Sequence, residues 1–185
     1  MKKLSFAIIT LLAIGFHGAF AQSNTGASTV TVDIPAHAYL AIAGTTSLSM
    51  PFTRPTAAGS VIVAPSANSS LWLNYSSVGS TASNTAGGRT ISVKTSALIP
   101  GVDIKVASAT PVMTNGNGSG GVGTAALTLT TTDQTNVSAI GSCNTGTGVN
   151  SGSQLTYSVL ANLATYSALV GSTPVVTVTY TMSDL

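Results

Sequence analysis

The chain has 185 residues, of which only 5% are charged: six Lys and Arg stand against four Asp, and there is no Glu. Lys2 and Lys3 open an apolar N-terminal run, which leaves Arg54, Arg89, Lys94 and Lys105 to balance Asp33, Asp103, Asp133 and Asp184. A near-neutral chain without a Lys/Arg cluster lacks the electrostatic footprint of a nucleic-acid binder or of a protein held on an anionic membrane.

An apolar stretch over residues 4–16 follows the two lysines, and Ala19 and Ala21 place small residues where a signal peptidase reads them. The expectation is an export signal over 1–21 and one mature domain over 22–185, in the periplasm, at the cell surface or outside the cell. Gln22, not Cys, comes next, which argues against a lipid anchor. No later stretch approaches the ~20 continuous apolar residues of a membrane-spanning helix, so no integral span is expected. The lone Cys143 has no intrachain partner. It reads as a small buried residue or as half of an intermolecular bridge.

Past a polar start, Thr29, Val30, Thr31, Val32, Asp33 and Ile34 alternate apolar and polar, the period of two of a half-buried strand that Pro35 ends. A second strand is expected over 38–43, with Leu40 and Ile42 on one face and Tyr39, Ala41 and Ala43 on the other. Leu48, Met50 and Phe52 then alternate with small or turn residues, and a short strand is expected over 60–64. In the strand over 71–76, Leu71, Leu73 and Tyr75 share a face, and Trp72 and Asn74 lie opposite. Strands over 89–96 and 102–108 are expected to pair around the turn at Pro100 and Gly101. Residues 115–121 read as an exposed glycine-rich loop and 141–152 as a second such loop, with a strand over 125–131 between them that turns Leu127 and Leu129 inward. A strand over 154–160, a helical turn over 163–169 and a closing strand over 174–182 complete the chain. In the closing strand Val176, Val178, Tyr180 and Met182 oppose Thr177, Thr179 and Thr181. About ten short extended segments and no long helical period predict a single all-β sandwich.

Chemistry-bearing patterns are scarce, and neither a catalytic residue nor a metal or cofactor is expected. His37 is the sole histidine after the leader and lies across a proline from Asp33, so it reads as a polar strand end. The aspartates are widely separated, and Asp103 and Lys105 alternate with Val102, Ile104 and Val106 as a solvated strand face. Cys/His pairs for zinc and Asp-x-Asp spacings for calcium are missing from the sequence. The glycine-rich loops lack the Lys-Ser/Thr ending of a phosphate cradle.

The alternating segment Thr29 to Ile34 directly after the leader, and the close formed by 164–168 and 175–182, resemble the small secreted pilin-like and spore-coat-U-like β-sandwich subunits of Gram-negative bacteria. Residues 70–76 and 140–148 are similar to exported proteins of the Bacteroidota. The pilin resemblance implies an immunoglobulin-like sandwich and polymerisation by donated strands, although the chain lacks a cysteine pair. Two functions are therefore expected. The first is a secreted structural or surface subunit, of fimbrial type, whose partner is a second copy or another surface protein and whose assembly strand is Thr29 to Ile34. The alternative is an extracellular glycan-binding or adhesin module that stacks sugars on Trp72, Tyr75 or Tyr157 of an exposed sheet face, although a core role for Trp72 is the stronger reading.

Overall fold

The structure, a computed structural model, describes residues 25–79 and 87–184. Two units divide the chain, Met1–Asp33 and Ile34–Leu185. The end of the leader expected at Ala21 lies outside the described residues. In the first unit, residues 25–33 carry neither strand nor helix.

The second unit is all-β: eleven strands in two antiparallel sheets, with a single short 3-10 helix, among the described residues. The strands are β1 His37–Ala43, β2 Asn68–Val78, β3 Arg89–Thr95, β4 Val102–Ser108, β5 Asn117–Gly118 and β6 Val122–Gly123. They continue with β7 Leu127–Thr128, β8 Gln134–Ile140, β9 Cys143–Asn144, β10 Ser153–Ala161 and β11 Val178–Asp184, and the 3-10 helix Leu163–Ala168 lies between the last two. The larger sheet runs β5-β9-β2-β10-β4-β7, with β1 on the other side of β2. The smaller one runs β11-β3-β8-β6.

Alternation in the sequence explains the layering. On β3, Ile91, Val93 and Thr95 are buried and the residues between them half-exposed. On β10, Leu155, Tyr157 and Val159 do the same. Of these, Ile91, Val93, Leu155 and Tyr157 meet Leu71, Leu73 and Tyr75 of β2, Val106 of β4, and Val137 and Ile140 of β8 in one core. Fully burying an aliphatic side chain of this size contributes roughly 1.5–3 kcal/mol, so the core is what holds two sheets together without a disulfide.

Several expectations change. Residues 29–34 do not form a strand of the fold, and Val30, Val32 and Ile34 are 72–79% exposed. The expected strand over 60–64 is reduced to an isolated bridge between Thr53 and Val63. Strands β3 and β4 do not pair with each other: β3 lies between β11 and β8, and β4 between β10 and β7. The Pro100–Gly101 turn is thus an arch that carries the chain across the ~10 Å between packed sheets. The glycine-rich stretch 115–121 is tied in, through β5 paired to β9 and a buried Gly120. A Cβ at Gly118, where φ is +90, would collide with the carbonyl of Ser142, so the pairing needs glycine there.

Candidate functional site

β1 and β11 are the outermost strands of the two sheets on one flank, and they run beside one another without pairing. Their backbone orientation follows from the ladders. Thr145 N–H donates to Tyr75 O at 3.0 Å, so the odd-numbered residues of β2 turn their peptide groups toward β9 and β10. Trp72, Asn74, Ser76 and Val78 therefore face β1 and pair with Ala43, Ala41, Tyr39 and His37. The N–H and C=O groups of Ala38, Leu40 and Ile42 point away from the sheet. On β11, Thr177 O accepts from Ser96 N–H at 2.8 Å, which turns Thr179 and Thr181 toward β3 and leaves Val178, Tyr180 and Met182 with outward peptide groups. None of these six residues has a backbone hydrogen-bond partner outside its own ladder among the described residues.

The side chains on this flank are apolar. Leu40, Ile42, Val178, Tyr180 and Met182 are half-buried and pack against the core. Leu48 and Met50 pack there too, and with Phe52 they keep the alternation of the sequence while joining no ladder. At one end Arg89, 6% exposed, ties the flank together: its guanidinium donates to His37 O at 2.6 Å, Ser77 Oγ at 2.8 Å and Val78 O at 3.3 Å. Deeper in, the hydroxyls of Tyr157 and Tyr180 meet at 2.7 Å and join the sheets. Burial pushes both phenols above their ordinary range.

The three aromatics expected on an exposed glycan platform are placed otherwise. Trp72, Tyr75 and Tyr157 are only 8%, 4% and 6% exposed. Tyr75 and Tyr157 belong to the core, where Tyr75 Oη donates to Gly120 O at 2.6 Å. Trp72 lies on the opposite face of β2, beside Asn74, over which the loop 145–152 folds: Asn74 Nδ2 donates to Ser151 O and Gly148 N–H donates to Asn74 Oδ1, both at 2.7 Å. A ring so covered has no free face for a sugar, and the platform expectation is corrected on that ground.

The remaining groups are scattered. His37 Nδ1 lies 3.3 Å from Pro35 O with its ring beside Tyr39. Lys94 pairs with Asp133 at 3.1 Å on an exposed face. Asp103 is half-buried, not fully solvated as its alternation suggested, and accepts from Asn162 Nδ2 at 3.0 Å. No three His, Cys, Asp or Glu side chains lie close enough together to hold a metal ion among the described residues. Cys143 is buried, and burial pushes its thiol up against the opposing pull of Arg89. That favours the buried-residue reading over the bridge. Among the described residues no helix is long and apolar enough to cross a membrane.

The open flank was missed in the sequence because an edge is defined by the strand that is absent beside it. Its one local signal was compositional: β1 and β11 hold neither Pro nor Lys, the residues that usually protect an edge. No protein-family model matches this chain, and neither a curated protein nor a solved structure is significantly similar to it.

Proposed function

We propose that this protein is an exported structural or surface subunit, of fimbrial or filament type, that assembles when residues 29–34 of one copy pair with the open flank of the next. One observation carries the reading: a period-two apolar segment stands exposed and unpaired in a chain whose sandwich has two unprotected edges on one flank. A donated strand would satisfy the outward peptide groups of Ala38, Leu40 and Ile42 or of Val178, Tyr180 and Met182, and would lay Val30, Val32 and Ile34 over half-buried apolar side chains. The leader-like residues 1–21 and the charge-poor surface support the same reading. The work is assigned to backbone edges and shape, and no catalytic role is assigned.

Light scattering and electron microscopy of residues 22–185, of Val32→Asp and of a form lacking 22–33 test this. The parent should form oligomers whose size grows with concentration, and both altered chains should stay folded and monomeric. A parent that is monomeric at every concentration, or a truncated chain that assembles as the parent does, overturns the proposal.

A further inference from the structure

Residues 29–34 and β1 are separated by Pro35 and Ala36 alone. A chain reversal there would lay the segment on the outer edge of its own β1, where Ala38, Leu40 and Ile42 turn their peptide groups outward. The pairing that fits is Val30 with Ile42, Val32 with Leu40 and Ile34 with Ala38. It engages only outward groups, and because paired residues of an antiparallel ladder share a face, it sets Val30 and Val32 beside the half-buried Ile42 and Leu40. Slipping by one residue turns Thr29, Thr31 and Asp33 to that face instead. A slip of two that widens the loop leaves Ile34 uncovered and sets Ser28 beside Ile42.

The fitting register demands a reversal over Pro35, Ala36 and His37, a three-residue loop whose last residue takes the left-handed region. His37 is held in another conformation. It is the first residue of β1, in register with Val78 of β2, and its carbonyl accepts from the buried Arg89 guanidinium at 2.6 Å. Withdrawing that carbonyl would take an acceptor from a buried cation, which costs more than losing a neutral hydrogen bond. With His37 held, only Pro35 and Ala36 remain for the turn. The two-residue turns that match strand twist need a positive φ at the first position or at both, and proline locks φ at about −65°. Such a turn would also pair Ile34 with His37, whose peptide group already faces β2.

We propose that Pro35 and the Arg89-held His37 form a block against self-closure, which keeps residues 29–34 off the β1 edge of their own chain and reserves them for a second copy. The device rests on the assembly proposed above and makes its pairing intermolecular. A short hinge that cannot close within one chain favours exchange between chains.

Inserting Gly-Ser-Asn-Gly between Ile34 and Pro35 tests the block, because the reversal then needs neither Pro35 nor His37 and an even insertion preserves the facing of the register. Amide exchange is read at a dilution where the chains are monomeric. Val30, Val32, Ile34, Ala38, Leu40 and Ile42 should exchange fast in residues 22–185 and at least about tenfold more slowly in the insertion chain, the mark of a closure worth ~1.4 kcal/mol. Adding Val32→Asp to the insertion should abolish that protection. At concentrations where the parent assembles by light scattering, the insertion chain should stay monomeric. Protection of residues 30–34 in the dilute parent, an insertion chain without protection, protection that survives Val32→Asp, or an insertion chain that assembles as the parent does would each overturn the proposal. A parent that never assembles, beside an insertion chain that still gains protection, would strike the assembly reading and leave the block supported.

Discussion

On the flank of β6 and β7 the edge strands are two residues long, and on the flank of β1 and β11 they are seven. The short-edged flank is also laced. Ser108 N–H of the larger sheet donates to Thr124 O at 2.9 Å, and Thr124 N–H donates to Asn136 O of the smaller sheet at 3.0 Å, so one residue stitches both layers. Two adjacent residues share the same task nearby: Leu129 N–H donates to Ile104 O of the larger sheet, and Thr130 O accepts from Thr95 N–H of the smaller one. On the long-edged flank the ladders of β1 and β11 run without a bulge, and among the described residues no backbone hydrogen bond cross-links them. A chain able to close one side so thoroughly has left the other side available for pairing, and an unprotected edge of that length is a template for another strand.

The backbone of the open flank gives the sharpest way to break this contrast. Ala41→Pro removes a peptide donor engaged with β2 and should cost about 3 kcal/mol, whereas Ala38→Pro removes an outward donor and should cost less than about 1 kcal/mol. Urea unfolding of the two variants checks it, and equal losses would mean that the register-based assignment of the free edge is wrong. If Ala38→Pro also weakens assembly while the fold persists, β1 is the accepting edge.

Arg89 is next in size. Replacing it with Met removes the bonds that tie His37 O and Val78 O to β3, and the expected loss is about 2–3 kcal/mol. Amide exchange of β1 should accelerate while that of Val137, on the laced side, stays slow. Uniform acceleration would show that the clamp supports the whole sandwich and not its open flank alone.

The smallest effect belongs to the tyrosine pair. Tyr180→Phe leaves the buried hydroxyl of Tyr157 without its partner and should cost about 1 kcal/mol. The folded state holds Tyr75, Tyr157 and Tyr180 protonated beyond the range of a free phenol. Their contribution is therefore complete below about pH 10 and is lost as pH rises past it. The midpoint of urea unfolding should be flat on the neutral side and fall in alkali, less steeply in Tyr180→Phe than in the parent. A parallel fall in the two proteins would remove Tyr180 from the account.

Where the alternation was strict, the sequence was legible. The half-burial of Val178, Tyr180 and Met182 against the exposure of Thr179 and Thr181 follows the written pattern, although the ladder begins at Val178 and not at Pro174. Leu40 and Ile42 turn inward as their spacing implied. Strand β8 was not legible at all. Its Gln134, Thr135, Asn136 and Ser138 leave only Val137 and Ile140 as large apolar residues, yet it lies at the centre of the smaller sheet, with Asn136 fully buried and accepting from Ser108 Oγ. The partner of its Oδ1 is 28 residues away in sequence, and its buried Nδ2 has no partner among the described residues, so neither its burial nor its pairing is written in the local pattern.

By itself the sequence determined the class of this protein: short alternating segments and glycine turns can bury their apolar faces only as stacked sheets, and a surface almost without ionised groups follows from the composition. Tertiary structure alone decided which sheet each strand joins, which face of β2 hides Trp72, and which edges remain unpaired. Side-chain period is a local property of neighbouring residues, whereas strand pairing and enclosure are set by segments that meet only after the chain has closed on itself.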